Sequence, residues 1–73
     1  MICSVAHPKY GFGKVLELSY DIEGNLLAFV RWAGSHRTGI AGGWYDLANE
    51  HFTIEGAVQL AQAVRELENN GYG

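Results

Sequence analysis

The chain has little of several residue types, and each shortage excludes a class of protein. The only cysteine, Cys3, cannot form an internal disulfide bond. No apolar run is long enough to cross a bilayer, and the first residues lack the basic stretch and apolar run of a secretory signal. These absences predict that the chain has no membrane segment and that it works in the cytoplasm.

Patterns for catalysis and metal binding are also missing. Ser4 and Ser19 have no evident base to activate them, and the three histidines and one cysteine match no zinc-ligand spacing. Gly11-Phe12-Gly13 precedes an expected strand, so it reads as a tight turn and not as a phosphate loop, which opens a helix. A chain of 73 residues also has little room for an enclosed pocket. We therefore expect no enzyme, no bound metal and no cofactor.

What is present indicates one small folded domain. The chain is 48% hydrophobic and 12% aromatic, which is too apolar for a disordered segment. Its net charge of -3 is divided unevenly: residues 1–45 carry four basic and three acidic side chains, and residues 46–73 carry one basic and five acidic. An anionic partner would therefore have to meet the first part of the chain.

Alternating apolar residues predict four or five short strands. The second has Leu16, Leu18 and Tyr20 on one face, and a turn at Glu23-Gly24-Asn25 joins it to the third. The third is apolar on both faces, so we expect it to be central, with Phe29 and Trp32 mainly in the core. The predicted strands are Ile2–His7, Lys14–Ile22, Leu26–Ala33, Trp44–Leu47 and Phe52–Ile54. Short antiparallel strands at this spacing most simply close into a small barrel.

The period then changes to that of an amphipathic helix. Its apolar stripe consists of Ala57, Leu60, Ala61, Val64 and Leu67. Thr53 is the predicted N-cap, and Asn69-Asn70-Gly71 is the predicted stop. The expected organisation is a single domain over 1–73, with the barrel in 1–54, the helix in 55–68 and a tail in 69–73. The helix packs either on its own barrel or on a second copy.

One string of the sequence resembles a known family. Residues 5–15, VAHPKYGFGKV, fit the pattern V-x-H-x-x-[FY]-G-x-G-x-V that opens the Tudor-like, SH3-like domain at the C-terminus of UvrD and PcrA helicases. Ala28–Trp32 and Trp44–Leu47 follow in the order of that family's later segments. The chain is similar, more distantly, to the RNA-polymerase-interacting domain of CarD-type transcription regulators.

The resemblance implies a mainly β fold: a small SH3-like or Tudor-like barrel of four to five antiparallel strands with one C-terminal amphipathic helix. It implies a structural turn of His7, Gly11 and Gly13, in which a ring nitrogen of His7 bonds the backbone. It also implies a non-enzymatic adaptor for protein–protein interaction in transcription or a related process. The expected protein partner is RNA polymerase, a helicase or another nucleic-acid-processing machine.

The candidate binding residues come from the aromatic and basic side chains. Aromatic rings with arginine are common interface anchors, and the predicted partner-binding face consists of Tyr10, Phe12, Arg37, Trp44 and Tyr45. A second hypothesis is direct nucleic-acid binding, in which rings stack on bases and cations meet phosphates; its contacts are Lys9, Lys14, Arg31 and Arg37. A third is a homo-oligomeric barrel that binds a small molecule between subunits.

Overall fold

A computed structural model describes residues 1–34 and 42–71 of the chain. Within these ranges five antiparallel strands form one sheet, and one helix follows them. The elements are β1 (Cys3–His7), β2 (Gly11–Tyr20), β3 (Leu26–Trp32), β4 (Gly43–Asp46), β5 (Thr53–Glu55) and α1 (Ala57–Gly71). The prediction of a mainly β domain with a C-terminal helix is confirmed.

The sheet is open and has the strand order β4-β3-β2-β1-β5. The edge strand β5 pairs with β1, where Val5 is opposite Ile54, and β4 pairs with β3 at the other edge. No pairing between described residues joins β4 to β5, so the expected closure into a barrel is not observed. Strand β5 has only three residues and, among the described strands, pairs with β1 alone. The two edges of the sheet therefore stay unpaired with each other. The middle strand is β2, and β3 is an interior strand beside it.

A β-bulge in β2 changes which side chains share a face. Val15 is opposite Val30, but the next partner pair is Glu17 and Phe29, so Leu16 is an extra residue in the ladder. Val15 and Leu18 therefore point to the same face, and Leu16 points to the other. Strict alternation placed Leu16 with Leu18, and this prediction is wrong because the extra residue inverts the alternation.

The two faces of the sheet differ in what covers them. The face that we call the inner face carries the buried core of Cys3, Val5, Val15, Ala28, Val30 and Trp32. Helix α1 packs on this face, with Leu60 against the core and with Ala63 and Leu67 beside Ile2 and Leu18. The opposite face, the outer face, has no described element packed on it. The helix therefore packs on its own sheet. Separately, no helix among the described residues is long and apolar enough to span a membrane.

The helix begins at Ala57, two residues later than predicted. Thr53 belongs to β5, where it pairs with Ala6, so it is not the N-cap. The chain turns from strand to helix at Gly56, whose φ is +89°, a backbone conformation that favours glycine. The Gly56 carbonyl then accepts the first helical hydrogen bond, from the Leu60 N–H at 3.0 Å. At the other end the helix continues through Gly71, so it includes the predicted stop and runs three residues beyond its predicted end at Glu68.

Candidate functional site

The predicted structural turn begins at His7, whose ring is held by two hydrogen bonds. The backbone N–H of Lys9 donates to Nδ1 of His7 at 3.0 Å, which confirms the prediction of a bond between ring and backbone. Because Nδ1 accepts, the proton of the neutral ring lies on Nε2, and this N–H donates to the Glu50 carboxylate at 3.0 Å. His7 therefore joins the β1–β2 turn to the segment that precedes β5.

The two glycines of the motif have different roles. Gly11 has a φ of +82° where β2 begins, so it supplies a conformation that other residues rarely adopt. Gly13 is buried, and a Cβ there would lie 2.7 Å from both the Trp32 ring and Cγ1 of Val30. Gly13 thus allows the indole of Trp32 to lie directly against the backbone of β2. These two glycines therefore shape the turn and the core.

Five rings form an aromatic cluster on the inner face. The His7 ring stacks on Tyr10 at 4.6 Å between centroids, and the Trp32 indole N–H donates to Oη of Tyr45 at 3.0 Å. Phe52 completes the cluster, with its centroid 6.0 Å from those of Trp32 and Tyr45. Tyr10 and Tyr45 are partly buried against the core. These two predicted partner-binding residues therefore support the fold.

The predicted partner-binding face is thus divided by the sheet. Phe12 and Trp44 lie on the outer face, because Phe12 pairs with Ala6 and Trp44 pairs with Phe29. Tyr10 and Tyr45 lie with the aromatic cluster on the inner side. The fifth residue, Arg37, lies outside the described residues. Of the four predicted side chains that the structure describes, two share one accessible surface.

The outer face carries an exposed apolar surface, which we call the outer patch: Phe12, Leu16, Phe29 and Trp44. Phe12 is 71% exposed, Trp44 47% and Leu16 39%. The rings of Phe29 and Trp44 meet edge to face at 5.4 Å. With Leu16 and Glu17 they line a shallow depression of about 310 Å³.

Sequence reasoning missed two members of the outer patch. Phe29 was expected mainly in the core, and this is wrong because the helix covers only the inner face, so Phe29 is half-buried beside Trp44. The sequence did carry a signal for this: Phe29 lies two residues before the charged Arg31 in the same strand, so the two share a face. Leu16 was assigned to the other face, and the sequence carries no clear mark of the bulge that moves it.

Two of the four predicted nucleic-acid contacts lie together on the outer face. Lys14 and Arg31 are directly opposite each other in the β2–β3 ladder, and both are exposed. Neither side chain forms an ion pair with a described residue. Lys9 lies in the β1–β2 turn, with Nζ 5.7 Å from the centroid of Tyr10, and Arg37 is outside the described residues. Among the described residues, these cations therefore form one local pair and no continuous basic track.

The remaining titratable groups in the described ranges offer little chemistry. Burial raises the pKa of the Cys3 thiol, which keeps it protonated and weakens it as a nucleophile. Hydrogen bonds from Asn25 lower the pKa of Asp21 and hold its carboxylate in the hairpin turn. Within residues 1–34 and 42–71, no group of three or more metal-ligating side chains converges.

No family model matches the chain, and no curated protein or solved structure matches it. The resemblance of residues 5–15 to the helicase-associated and CarD-type domains stays a prediction.

Proposed function

We propose that this chain is a non-enzymatic protein-interaction module that docks on its partner through the outer patch. The supporting observation is that Phe12, Leu16 and Trp44 are exposed on a sheet face that no described element covers. Exposed apolar surface that is contiguous, as it is at Leu16, Phe29 and Trp44, is typical of protein-binding surfaces. Aromatic side chains are also over-represented among the residues that dominate binding energy.

The outer patch has the layout of an interface. The paired rings of Phe29 and Trp44 give a rigid apolar centre, and the exposed charges of Lys14, Arg31 and Glu17 lie beside it on the same face. An apolar centre with a polar rim is the usual anatomy of a protein interface. The resemblance of residues 5–15 makes RNA polymerase the first partner to test, followed by a UvrD-type helicase.

The test is biolayer interferometry with the immobilised chain and purified bacterial RNA polymerase or helicase. Trp44→Ala removes the most exposed ring of the central pair, and we expect it to weaken binding by at least about 2 kcal/mol, which is roughly thirtyfold. Val58→Ala is the matched control, because Val58 is exposed on the helix at the other side of the sheet. Equal affinity of wild type and Trp44→Ala would reject the outer patch as the docking surface.

Sedimentation velocity of the free chain separates docking from self-association. A monomer at working concentration fits docking on a foreign partner. A dimer that dissociates in the Trp44→Ala variant would instead assign the outer patch to a second copy of the chain. This outcome would favour the hypothesis of a homo-oligomer that binds a small molecule between subunits.

Direct binding of single-stranded nucleic acid is the second candidate function. It is favoured by Lys14 and Arg31, which lie on the same sheet face as three exposed or half-buried rings. A steep loss of affinity with added salt would identify it, since phosphate binding releases counterions. An apolar protein interface loses little affinity under the same change.

A further inference from the structure

We infer that the partner segment bound at the outer patch carries carboxylate groups and places them over Lys14 and Arg31. This inference rests on the proposed function and names the chemistry of the partner. It concerns a protein segment in which one or two acidic residues lie between apolar ones.

The first supporting observation is the position of the two cations. Lys14 and Arg31 are directly opposite residues of an antiparallel ladder, where the Cβ atoms of such pairs lie about 5 Å apart. Like charges at this spacing repel each other and destabilise the sheet. Neither cation has an acidic partner among the described residues. A carboxylate from a ligand would remove this repulsion, and the planar guanidinium of Arg31 can hold it by two parallel hydrogen bonds.

The second observation is what lies on either side of the pair. Phe12 precedes Lys14 by two residues on β2, and Phe29 precedes Arg31 by two residues on β3, so both rings are on the outer face. Because β2 and β3 are antiparallel, the rings lie on opposite sides of the cation pair. Each ring is about 7 Å from it along its strand, at about 3.3 Å per residue. A segment that crosses this surface therefore meets an apolar, a cationic and again an apolar contact.

Acidic side chains near the cation pair favour a ligand with one or two negative charges over a polyanion. Glu17 is opposite Phe29, and Glu55 is opposite Ser4, whose other neighbour across the sheet is Lys14. These carboxylates lie on the outer face at both sides of the cation pair. A polymer with a phosphate on every unit would meet them as soon as it extended past the pair, and the whole chain carries a charge of -3. A peptide can place one or two carboxylates on the pair and neutral residues elsewhere.

The experiment selects random dodecapeptides from a display library on four immobilised forms of the full chain. These are the wild type, the Lys14→Gln/Arg31→Gln double variant, Trp44→Ala, and a Lys9→Gln/Arg65→Gln control that removes the same charge elsewhere. The double variant should fold, because it removes a repulsion and both side chains are exposed. Circular dichroism checks this before selection.

The expected result is that wild type and control enrich peptides in which Asp or Glu lies between Leu, Phe or Trp. The double variant should keep the apolar preference and lose the acidic one, with affinity for wild-type-selected peptides reduced at least about tenfold. No acidic preference, or one that persists in the double variant, would overturn the inference while leaving the proposed function intact. If wild type enriches no peptides, or enriches the same peptides as Trp44→Ala, both the inference and the proposed function would be overturned.

A titration with fluorescein-labelled oligothymidylate supplies the competing outcome. Binding tighter than that of the selected peptides, falling steeply between about 50 and 200 mM salt and abolished in the double variant, would assign the cation pair to nucleic acid and overturn the inference. Weak binding that the Lys9→Gln/Arg65→Gln control reduces equally would support it, because the attraction would then be non-specific.

Discussion

The indole N–H of Trp32 donates a hydrogen bond to Oη of Tyr45 at 3.0 Å, and this contact joins the core to the edge strand β4. Trp32 is only 2% exposed, so its N–H has no access to water as an alternative partner. Tyr45 lies opposite Ala28 in the β3–β4 ladder, which directs its ring onto the inner face. The pair therefore satisfies a buried donor and holds the edge strand to the aromatic cluster.

We predict that Tyr45→Phe lowers the free energy of unfolding by about 1–3 kcal/mol, because it leaves the buried Trp32 N–H without an acceptor. Urea denaturation followed by tryptophan fluorescence measures the change. Tyr10→Phe is the matched control, since it removes a hydroxyl of the same cluster that forms no hydrogen bond with a described residue. Equal effects of the two substitutions would mean that the hydrogen bond contributes no net stability.

Gly13→Ala should destabilise the domain by about 2–3 kcal/mol, because its Cβ would overlap the Trp32 ring and Val30 in a packed core. Gly24→Ala provides the comparison, since Gly24 has a φ of +87° but open space around it. That substitution introduces backbone strain alone, which costs about 1 kcal/mol. Thermal unfolding of both variants checks the order, and a Gly24→Ala variant less stable than Gly13→Ala would contradict it.

The tautomer of His7 is also testable. We expect two-dimensional NMR spectra that correlate ring nitrogens with ring protons to show the neutral ring protonated on Nε2, since Nδ1 accepts from the Lys9 N–H. Glu50→Ala should leave that tautomer in place, because the Lys9 contact remains. A double-mutant cycle of His7→Ala and Glu50→Ala should give a coupling energy of about 1 kcal/mol. Protonation on Nδ1 would contradict the arrangement.

Asp21 should make the free energy of unfolding depend on pH in the acidic range. Hydrogen bonds from the Asn25 backbone and side chain lower its pKa in the folded chain, with smaller contributions from the backbone of Glu23 and Gly24. A lowered folded pKa means that the ionised group stabilises the fold at pH above the unfolded value of about 3.9. This stability is lost as pH falls through the folded pKa.

The melting temperature measured from neutral pH into this acidic window checks the expectation for Asp21. Asp21→Asn should lose less stability than wild type as the pH falls, because its side chain has no charge to titrate. Glu23→Gln is the control, since the Glu23 side chain accepts none of the bonds that hold this turn. A profile of Asp21→Asn parallel to that of the wild type would show that Asp21 does not contribute.

Much of the fold could be predicted because it depends on local pattern. The alternation in β3 correctly placed Ala28, Val30 and Trp32 on one face, and the turn at Gly24 is where the hairpin forms. The helix was recognised from its period, although its start was misplaced. Thr53 has the properties of a good N-cap, but pairing with β1 holds it in a strand. Local preference was overruled there by a ladder to a strand almost fifty residues earlier.

The candidate site was harder to predict because exposure is a property of the assembled sheet. Sequence pattern predicted Phe12, Trp44, Lys14 and Arg31 as candidate binding residues, since aromatic and basic side chains are suited to that role. It could not separate them from Tyr10 and Tyr45, which have the same chemistry. The bulge that turns Leu16 outward is also invisible in the pattern, because one extra residue inverts the alternation only when a partner strand defines the register.

The sequence by itself determined the strands, the turns and the amphipathic helix, because these follow from the spacing of apolar residues and glycines along the chain. The tertiary structure alone decided which rings stay accessible. One helix can cover only one face of the sheet, and the rings on the inner face are partly buried against the core around Trp32. Phe12 and Trp44 remain exposed on the outer face, beside the cation pair of Lys14 and Arg31 that the β2–β3 register brings together.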